Sequence, residues 1–454
     1  MTRAVPKNLR SLDPPAAVRE IVARLERAGH ETWCVGGAVR DALLGQVHLD
    51  WDLATAATPT QIMKVFKRTI PVGVEFGTVG VLDSDNTMHE VTTFRRDVKT
   101  DGRHAVVEFG VTLDDDLARR DFTINALAYH PQKEEFRDLY EGRLDLERGI
   151  VRAVGVAADR MREDRLRALR GIRFAARFGF HIEPDTWHAI IASAPHMDRL
   201  SAERVKQEIE KTMQQVDKPS IALEWWRESG ALAALVPALA AAPAERFEAL
   251  DFLERAGAEE DHEIPGVTNA ADNAAGTASG RTLDRLAMLF FGETERVTLA
   301  TTKALKFSNA HSAWIARLAA ARHALGAAMD AAMWAGNPSD ADIRRWVATV
   351  GRTRAGSFAE LTVALWRARL KNSPKSDVES RLGVFAARAT TIAYRDPIEL
   401  ADLAIDGEDL TKAGIAPGPA LGKTLQTLLQ HVIENPTANT REELLALAKQ
   451  SSSG

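Results

Sequence analysis

Cysteine is nearly absent from the 454-residue chain: Cys34 is the only one. That excludes an internal disulfide framework and a cysteine-based zinc site, and it fits a reducing cytoplasm. Aromatic residues make up only 6%. No run of about 18 uncharged apolar residues occurs, so no membrane span is expected. Met1 to Pro15 has basic residues with no apolar run behind them, and no signal peptide is expected there. Positive charge is not in excess either. Lys and Arg number 58 against 63 Asp and Glu, a net −5. A protein that grips nucleic acid through bulk positive charge alone is therefore disfavoured, and a local basic patch stays open. What remains is an ordinary soluble composition, 45% hydrophobic and 27% charged, in a chain long enough for two or three domains.

The first half mixes strands and helices. Asp13 can cap a helix whose first turn holds Pro14 and Pro15 and which Gly29 can end; Val18, Ile21, Val22 and Leu25 share one face of it. Thr32 to Val35 reads as a buried strand, Ala38 to Leu44 as a short helix, and His48 to Ala54 as a second strand. Thr58-Pro59 starts a helix through about Phe66. Val79–Leu82 and Thr87–Phe94 flank Asp83-Ser84-Asp85-Asn86, which is turn chemistry, and so form a hairpin. Arg95 to His104 is charged and reads as a mobile loop, with Val106 to Val111 a further strand. Beyond about Ile150 the helical period dominates, and from Arg281 short helices are expected, with a frayed tail at Ser451 to Gly454. The stretch at 256–280 is small and polar and reads as a flexible insertion. The resulting expectation is α+β: a head at 10–150, a helical neck at 151–220, and an all-helical body and tail at 221–454.

Three constellations carry chemistry. In the first, Gly36-Gly37-Ala38-Val39-Arg40-Asp41 joins a strand to a helix, and Asp50-Trp51-Asp52 follows. Two glycines there let backbone N–H groups approach a phosphate, and Arg40 reaches the same anion. Asp50 and Asp52, two apart on a strand, point their carboxylates to one face, where they repel unless a hard cation such as Mg²⁺ lies between them. Glu90 could add a third carboxylate, or be an ordinary polar strand residue. The second constellation is Arg119-Arg120-Asp121-Phe122-Thr123-Ile124-Asn125-Ala126, in which Asp121 can cap a helix. The third is Glu163-Asp164-Arg165-Leu166-Arg167-Ala168-Leu169-Arg170-Gly171-Ile172-Arg173-Phe174. From Arg160 to Arg177 there are seven arginines and two acids. A solvated helix face would use lysine equally well, whereas arginine suits bidentate contacts to phosphates or base edges.

In this order the three constellations resemble class II tRNA nucleotidyltransferases, the CCA-adding enzymes, and the related bacterial poly(A) polymerases. The resemblance runs from about Trp33 to Met213 and includes Ser201-Ala202-Glu203-Arg204. It implies a polymerase-beta-like head in which Asp50 and Asp52 hold Mg²⁺. Gly37, Arg40 and Arg120 would hold the phosphates, Asp164 and Arg167 would select the base, and Arg170 and Arg173 would flank the nucleotide. The implied activity is untemplated addition of C, C and A to tRNA 3′ ends from CTP and ATP, with tRNA as partner. Poly(A) synthesis and addition of CC or A alone are the neighbouring alternatives. A noncatalytic RNA-binding protein is the alternative of a different class. Val72-Gly73-Val74-Glu75-Phe76-Gly77-Thr78-Val79 looks like the CCA enzymes, and Asp97 to Arg103 looks like the loop of enzymes able to add A. From about Ile221 no resemblance can be carried over residue by residue.

Overall fold

The computed structural model describes residues 12–46, 50–100, 105–253, 280–371 and 376–451. They fall into two compact units. The first is residues 1–208 with 221–237, and the second is 209–220 with 238–454.

The first unit opens with α1 (Ala16–Arg27), whose expected apolar face, Val18, Ile21, Val22 and Leu25, is buried. Its cap differs from expectation. Pro15 occupies the N-cap with no side-chain bond, and Asp13 is ion-paired to Arg19 instead. Gly29, with φ +85°, turns the chain into β1 (Thr32–Val35), buried at every position. Then come α2 (Gly37–Leu43) and β2 (Leu53–Thr55). The expected strand from His48 is thus cut to three residues, and 47–49 lie outside the described residues. The ladder does run one step further: Val35 N–H donates to the Asp52 carbonyl (3.0 Å), whereas Gly36 N–H turns to Leu127 (3.0 Å). Asp52 is therefore the last residue held by β1, and Asp50 precedes the sheet.

Next are α3 (Pro59–Val65), closed by a Thr58/Gln61 capping box, β3 (Thr69–Gly73), β4 (Thr78–Leu82) and β5 (Met88–Thr93). The β4–β5 hairpin is as expected, with Asp83 Oδ1 accepting from the N–H groups of Asp85 and Thr87 (2.9 Å each). The segment read as a mobile loop is instead β6 (Arg95–Thr100), paired antiparallel with β7 (Ala105–Phe109); 101–104 lie outside the described residues. Two-residue alternation is weak there, which is why charge alone suggested a loop. After α4 (Leu113–Ala118) come β8 (Leu127–His130) and β9 (Glu135–Asp138). The main sheet has seven strands in the order β3-β4-β5-β2-β1-β8-β9. Cys34 lies at its centre in β1, fully buried, and burial pushes its thiol pKa far up.

Then follow α5 (Gly142–Arg148), β10 (Ile150–Val151), α6 (Ala157–Glu163), α7 (Leu166–Phe178), β11 (His181–Ile182), α8 (Pro184–Ser193), α9 (Ala202–Gln215), α10 (Pro219–Glu228) and α11 (Ala231–Leu235). Gly171 lets α7 come close to the sheet domain: a Cβ there would lie 2.8 Å from the Phe122 ring.

The second unit contains only helices among its described residues. After the short α12 (Pro237–Ala240) and α13 (Ala244–Glu248) come α14 (Gly280–Phe290), α15 (Glu295–Ala304) and α16 (Asn309–Ala335). Next are α17 (Asp340–Val350), α18 (Ala355–Leu370), α19 (Ser376–Arg395), α20 (Gly407–Lys412), α21 (Pro419–Glu434) and α22 (Arg441–Ser451). Not all are short, as α16 has 27 residues and α19 has 20. α16 is rich in alanine, and its exposed Ala313, Arg317, Ala324, Ala327 and Ala331 recur at helical spacing opposite the buried Ile315, Leu318, Arg322, Met329 and Met333. The expected insertion lies outside the described residues, except that Gly280 opens α14. Leu410, Leu428, Val432, Leu444 and Ala448 form a separate small core among α20, α21 and α22. No described helix is long and apolar enough to cross a membrane.

Candidate nucleotide site

A cleft of about 430 Å³ in the first unit gathers most of the expected residues: Gly37, Arg40, Asp52, Arg120, Asp164, Arg167 and Arg170. Gly36 makes the turn that starts it. Its φ of +74° and ψ of −131° suit glycine alone, and a Cβ there would sit 2.5 Å from Arg120 Nη1. The helix α2 begins on this turn, so its first N–H groups open toward the cleft.

Asp52 stands at one end. The β2–β5 register pairs Leu53 with Val91 in parallel, so one step back places Asp52 beside Glu90. Leu53 and Val91 point into the core, which sends both carboxylates to the other face. The Asp52 carboxyl pKa is pushed up to about 6, first by burial against the cleft wall, then by Asp50 and Glu90, with Arg120 opposing. One side of Asp52 remains open to water, as does Asp50. No group of three or more His, Cys, Asp or Glu is close enough together to hold a metal among the described residues. Glu90 is therefore a neighbouring charge on Asp52 in this structure. The crowded anions fit a divalent cation, because a cation would remove the repulsion that now favours a proton.

The guanidinium groups come next. Arg40 is buried, and its Nε donates to Asp41 Oδ1 (2.7 Å) and its Nη1 to Asn125 Oδ1. Its guanidinium lies 4.9 Å from the centroids of both Phe174 and Phe178. Arg120 donates to Asp116 (3.1 Å) and to the Asn125 carbonyl (3.3 Å), while Arg119 takes the other Asp116 oxygen. Burial would raise Asp116, but Arg120 and Arg119 hold its carboxyl below the usual range.

Asp121 does not cap a regular helix. A 3₁₀ turn, Thr123–Asn125, follows it, and its carboxylate accepts from Phe122 N–H (2.9 Å), Asn125 Nδ2 (2.9 Å) and Arg170 Nε (2.7 Å). Burial works against its charge, yet Arg170 above all holds its pKa down to about 2.

The pair expected to select the base is arranged differently from expectation. Asp164 and Arg167 do not share one helix face: Asp164 sits in the break between α6 and α7, with φ −150° and ψ 106°. Its Oδ1 accepts from Leu166 N–H (3.1 Å) and its Oδ2 from Arg204 Nη2 (2.6 Å). Arg167 donates Nη1 to Glu163 (2.6 Å) and the Arg160 carbonyl (3.2 Å), and Nη2 to the Arg119 carbonyl (3.0 Å). Three bonds leave two of its five donors, and Asp164 keeps unused lone pairs. Arg173 is not in the cleft. It is buried against Glu208 (2.8 Å), both side chains at most 3% exposed. The sequence held that signal: Leu166, Leu169 and Arg173 fall at i, i+3 and i+7, on the stripe that packs inward. Asp41, Asp116 and Asn125, absent from the sequence candidates, are what hold the arginines.

This arrangement matches known proteins. Residues 32–152 match the poly A polymerase head domain family, 179–242 a probable RNA- and SrmB-binding site of polymerase A, and 379–448 a putative tRNA nucleotidyltransferase domain 2. The CCA-adding enzyme of Limosilactobacillus fermentum is 33% identical over 451 residues, 95% of each chain. The chain belongs to the CCA-adding enzymes. That of Lactiplantibacillus plantarum is 45% identical over 199 residues, 43% of this chain and 48% of its own. Among solved structures, a Bacillus stearothermophilus CCA-adding enzyme in complex with CTP is similar at TM-score 0.69 and 28% identity, covering 97% of this chain and 98% of its own. A Thermotoga maritima CCA-adding enzyme complexed with tRNA shares the fold at TM-score 0.65 and 21% identity, covering 99% of each chain. The match at 379–448 lies in the region where the sequence offered no resemblance usable residue by residue.

Proposed function

We propose that this CCA-adding enzyme adds C, C and A to tRNA 3′ ends from CTP and ATP without a template, releasing pyrophosphate, in the cleft of the first unit. The observation that carries this is the set of charges lining the cleft: Asp52, on which the charges of Asp50 and Glu90 act, Arg40 and Arg120 beside the glycine turn, and Asp164 and Arg167 at the α6–α7 break. It suits a nucleoside triphosphate lying with its phosphates by the turn and its base by the break. Residues 10–150 would act as the catalytic head, 151–220 as the base-selecting neck, and 221–454 as the tRNA-binding body and tail. The cytoplasm is the proposed place of action, in keeping with the single reduced cysteine.

The proposed cofactor is Mg²⁺, held by Asp50 and Asp52. Bound there, it would supply charge neutralisation of the triphosphate and a lower pKa for the primer 3′-hydroxyl. Arg40 and Arg120 donate to phosphate oxygens, and their charge stabilises the pyrophosphate that departs as the 3′-oxygen bonds to the α-phosphorus. Asp164 accepts from the exocyclic NH₂ that cytosine and adenine share, and Arg167 donates to the adjacent ring nitrogen. Uracil and guanine present the reverse order and leave two acceptors facing each other.

The test is incubation of purified protein with Mg²⁺, tRNA lacking its 3′ CCA, and each nucleoside triphosphate alone and together, with products resolved to single nucleotides. Two additions with CTP alone and three with CTP plus ATP are expected. A long A tail, or no extension at all, would overturn the proposal.

A further inference from the structure

Asp41 follows Arg40 in α2, and no part of the proposed chemistry uses it. Its carboxylate nonetheless joins two elements. Oδ1 accepts from Arg40 Nε (2.7 Å), and Oδ2 accepts from Arg177 Nη2 (3.3 Å), near the end of α7. The Asp41 side chain is only 15% exposed, so its bond to the buried Arg40 forms away from bulk water, while Arg177 is partly open. Around this joint the rings of Phe174 and Phe178 are stacked, 6.2 Å apart and 6° from parallel. Arg40 lies against both, and Arg177 lies 4.8 Å from the Phe178 centroid.

The consequence for Arg40 is geometric. Its Nε is taken by Asp41 and its Nη1 by Asn125. Nη2 has no protein acceptor among the described residues and lies by Gly37, 3.5 Å from where a Cβ would stand. Nε and one Nη1 hydrogen are committed to the protein, so the Nη2 group by Gly37 is left to the cleft that Arg40 lines. The charges agree. Arg40, Arg177 and Asp41 together leave one positive charge, and the adjacent Arg173–Glu208 pair is neutral. A surplus cation with one open donor edge suits an anion.

We propose that Asp41 is a positioning residue for triphosphate binding. Through Arg177 it ties the phosphate-facing Arg40 to α7, the helix that begins at the base-selecting break, and so fixes the span between the phosphate end and the base end of the site. This rests on the nucleotidyl-transfer reading above. Because the joint acts on phosphates, its loss weakens CTP and ATP alike and leaves the choice between them unchanged. A carboxylate that only stabilised α2 would not produce that pattern.

The experiment compares wild type, Asp41→Asn, Arg177→Met, the double variant and Arg177→Lys. KM and kcat are measured for CTP and ATP on the matching tRNA primers, together with tRNA affinity and competition by inorganic tripolyphosphate. Each of the two charge-removing variants should raise both KM values and the tripolyphosphate inhibition constant about tenfold, with kcat within about threefold and tRNA affinity unchanged. The double variant should be no worse than about twofold beyond either single one, because both break the same joint. Arg177→Lys should recover most of the loss. Unchanged KM values, losses that multiply in the double variant, or a loss confined to one nucleotide would each overturn the proposal. Should Asp41→Asn fail to fold, Arg177→Met against Arg177→Lys decides: equal KM values reject the joint. A wild type that binds tripolyphosphate but never extends tRNA would instead overturn the functional reading, while tripolyphosphate binding to the variants still tests the joint.

Discussion

The two units bury arginine in opposite ways. In the second, Arg285 is 1% exposed and spends its donors on the carbonyls of Met213 (2.7 Å), Val216 (3.0 Å) and Leu253 (2.7 Å). Arg322 is likewise buried and pairs with Asp330, which also takes Arg369 and Trp366 Nε1. These cations are turned wholly inward and join chain segments to one another. In the first unit, Arg40 and Arg167 are equally well anchored, yet each retains donors toward a cleft. Burial of a guanidinium therefore does not mark a binding site; an unused edge facing open space does. Arg173 is the intermediate case, an arginine of the site motif that behaves like those of the helical unit.

The largest effect should come from the carboxylates. Asp52→Ala or Asp50→Ala should lower nucleotide addition by at least about a thousandfold under saturating Mg²⁺, since a transfer that spreads charge over phosphate oxygens relies on electrostatic stabilisation. Circular dichroism should stay unchanged. Near-normal single-turnover rates in both variants would remove the metal assignment.

Arg285→Ala probes the other side of the comparison. It strands three carbonyls and should cost about 3–5 kcal/mol. Thermal and urea unfolding would register this, while KM for CTP in the surviving folded fraction stays at the wild-type value. A raised KM with unaltered stability would erase the distinction between the units.

Asp164→Ala is expected to change selectivity more than rate. Losing the acceptor should narrow the advantage of CTP and ATP over UTP and GTP about tenfold to a hundredfold, at about 1.4 kcal/mol per decade. Asp164 also bonds Leu166 N–H and Arg204, so a purely structural role predicts lower stability with the four kcat/KM ratios intact. Those ratios on a primer one nucleotide short of completion tell the two apart.

The smallest effect is on pH dependence without divalent metal. The Asp52 pKa is raised in the folded state, so the folded protein binds more protons than the unfolded chain between about pH 4 and 6, and stability contributed by this group falls as pH rises through that window. At neutral pH Asp52→Asn should then stabilise the metal-free protein, by roughly 1 kcal/mol after allowing for its open side. Melting curves in chelator at pH 4 and pH 7.5 measure it; stabilisation that is equal at both values would contradict the raised Asp52 pKa that burial, Asp50 and Glu90 produce.

Much of the first unit could be read from local pattern. The face of α1, β1, the Gly36-Gly37 turn and the β4–β5 hairpin each follow from spacing or turn chemistry within a dozen residues. The site was legible as residue types and less so as geometry. By its sequence Asp164 shares a helix with Arg167 because the charge run is unbroken, and only a backbone that turns extended at Asp164 separates α6 from α7. The partners of the arginines were hidden for another reason. Asp41 meets Arg177 across 136 residues and Asn125 meets Arg40 across 85, pairings that only the folded chain defines. In the second unit the helical period was read without its motifs, and the matching segment at 379–448, with its Asp406-Gly407-Glu408-Asp409 cap and Pro417-Gly418-Pro419, went unrecognised.

Cys34 has a practical consequence. A lone thiol in the middle of β1, sealed from water and held protonated, should ignore maleimides and disulfide reagents as long as the sheet is intact. The chain is thus already a thiol-silent background. A cysteine introduced on an exposed position of either unit would be the sole site for a fluorophore or spin label, and labelling of Cys34 itself would report opening of the central sheet.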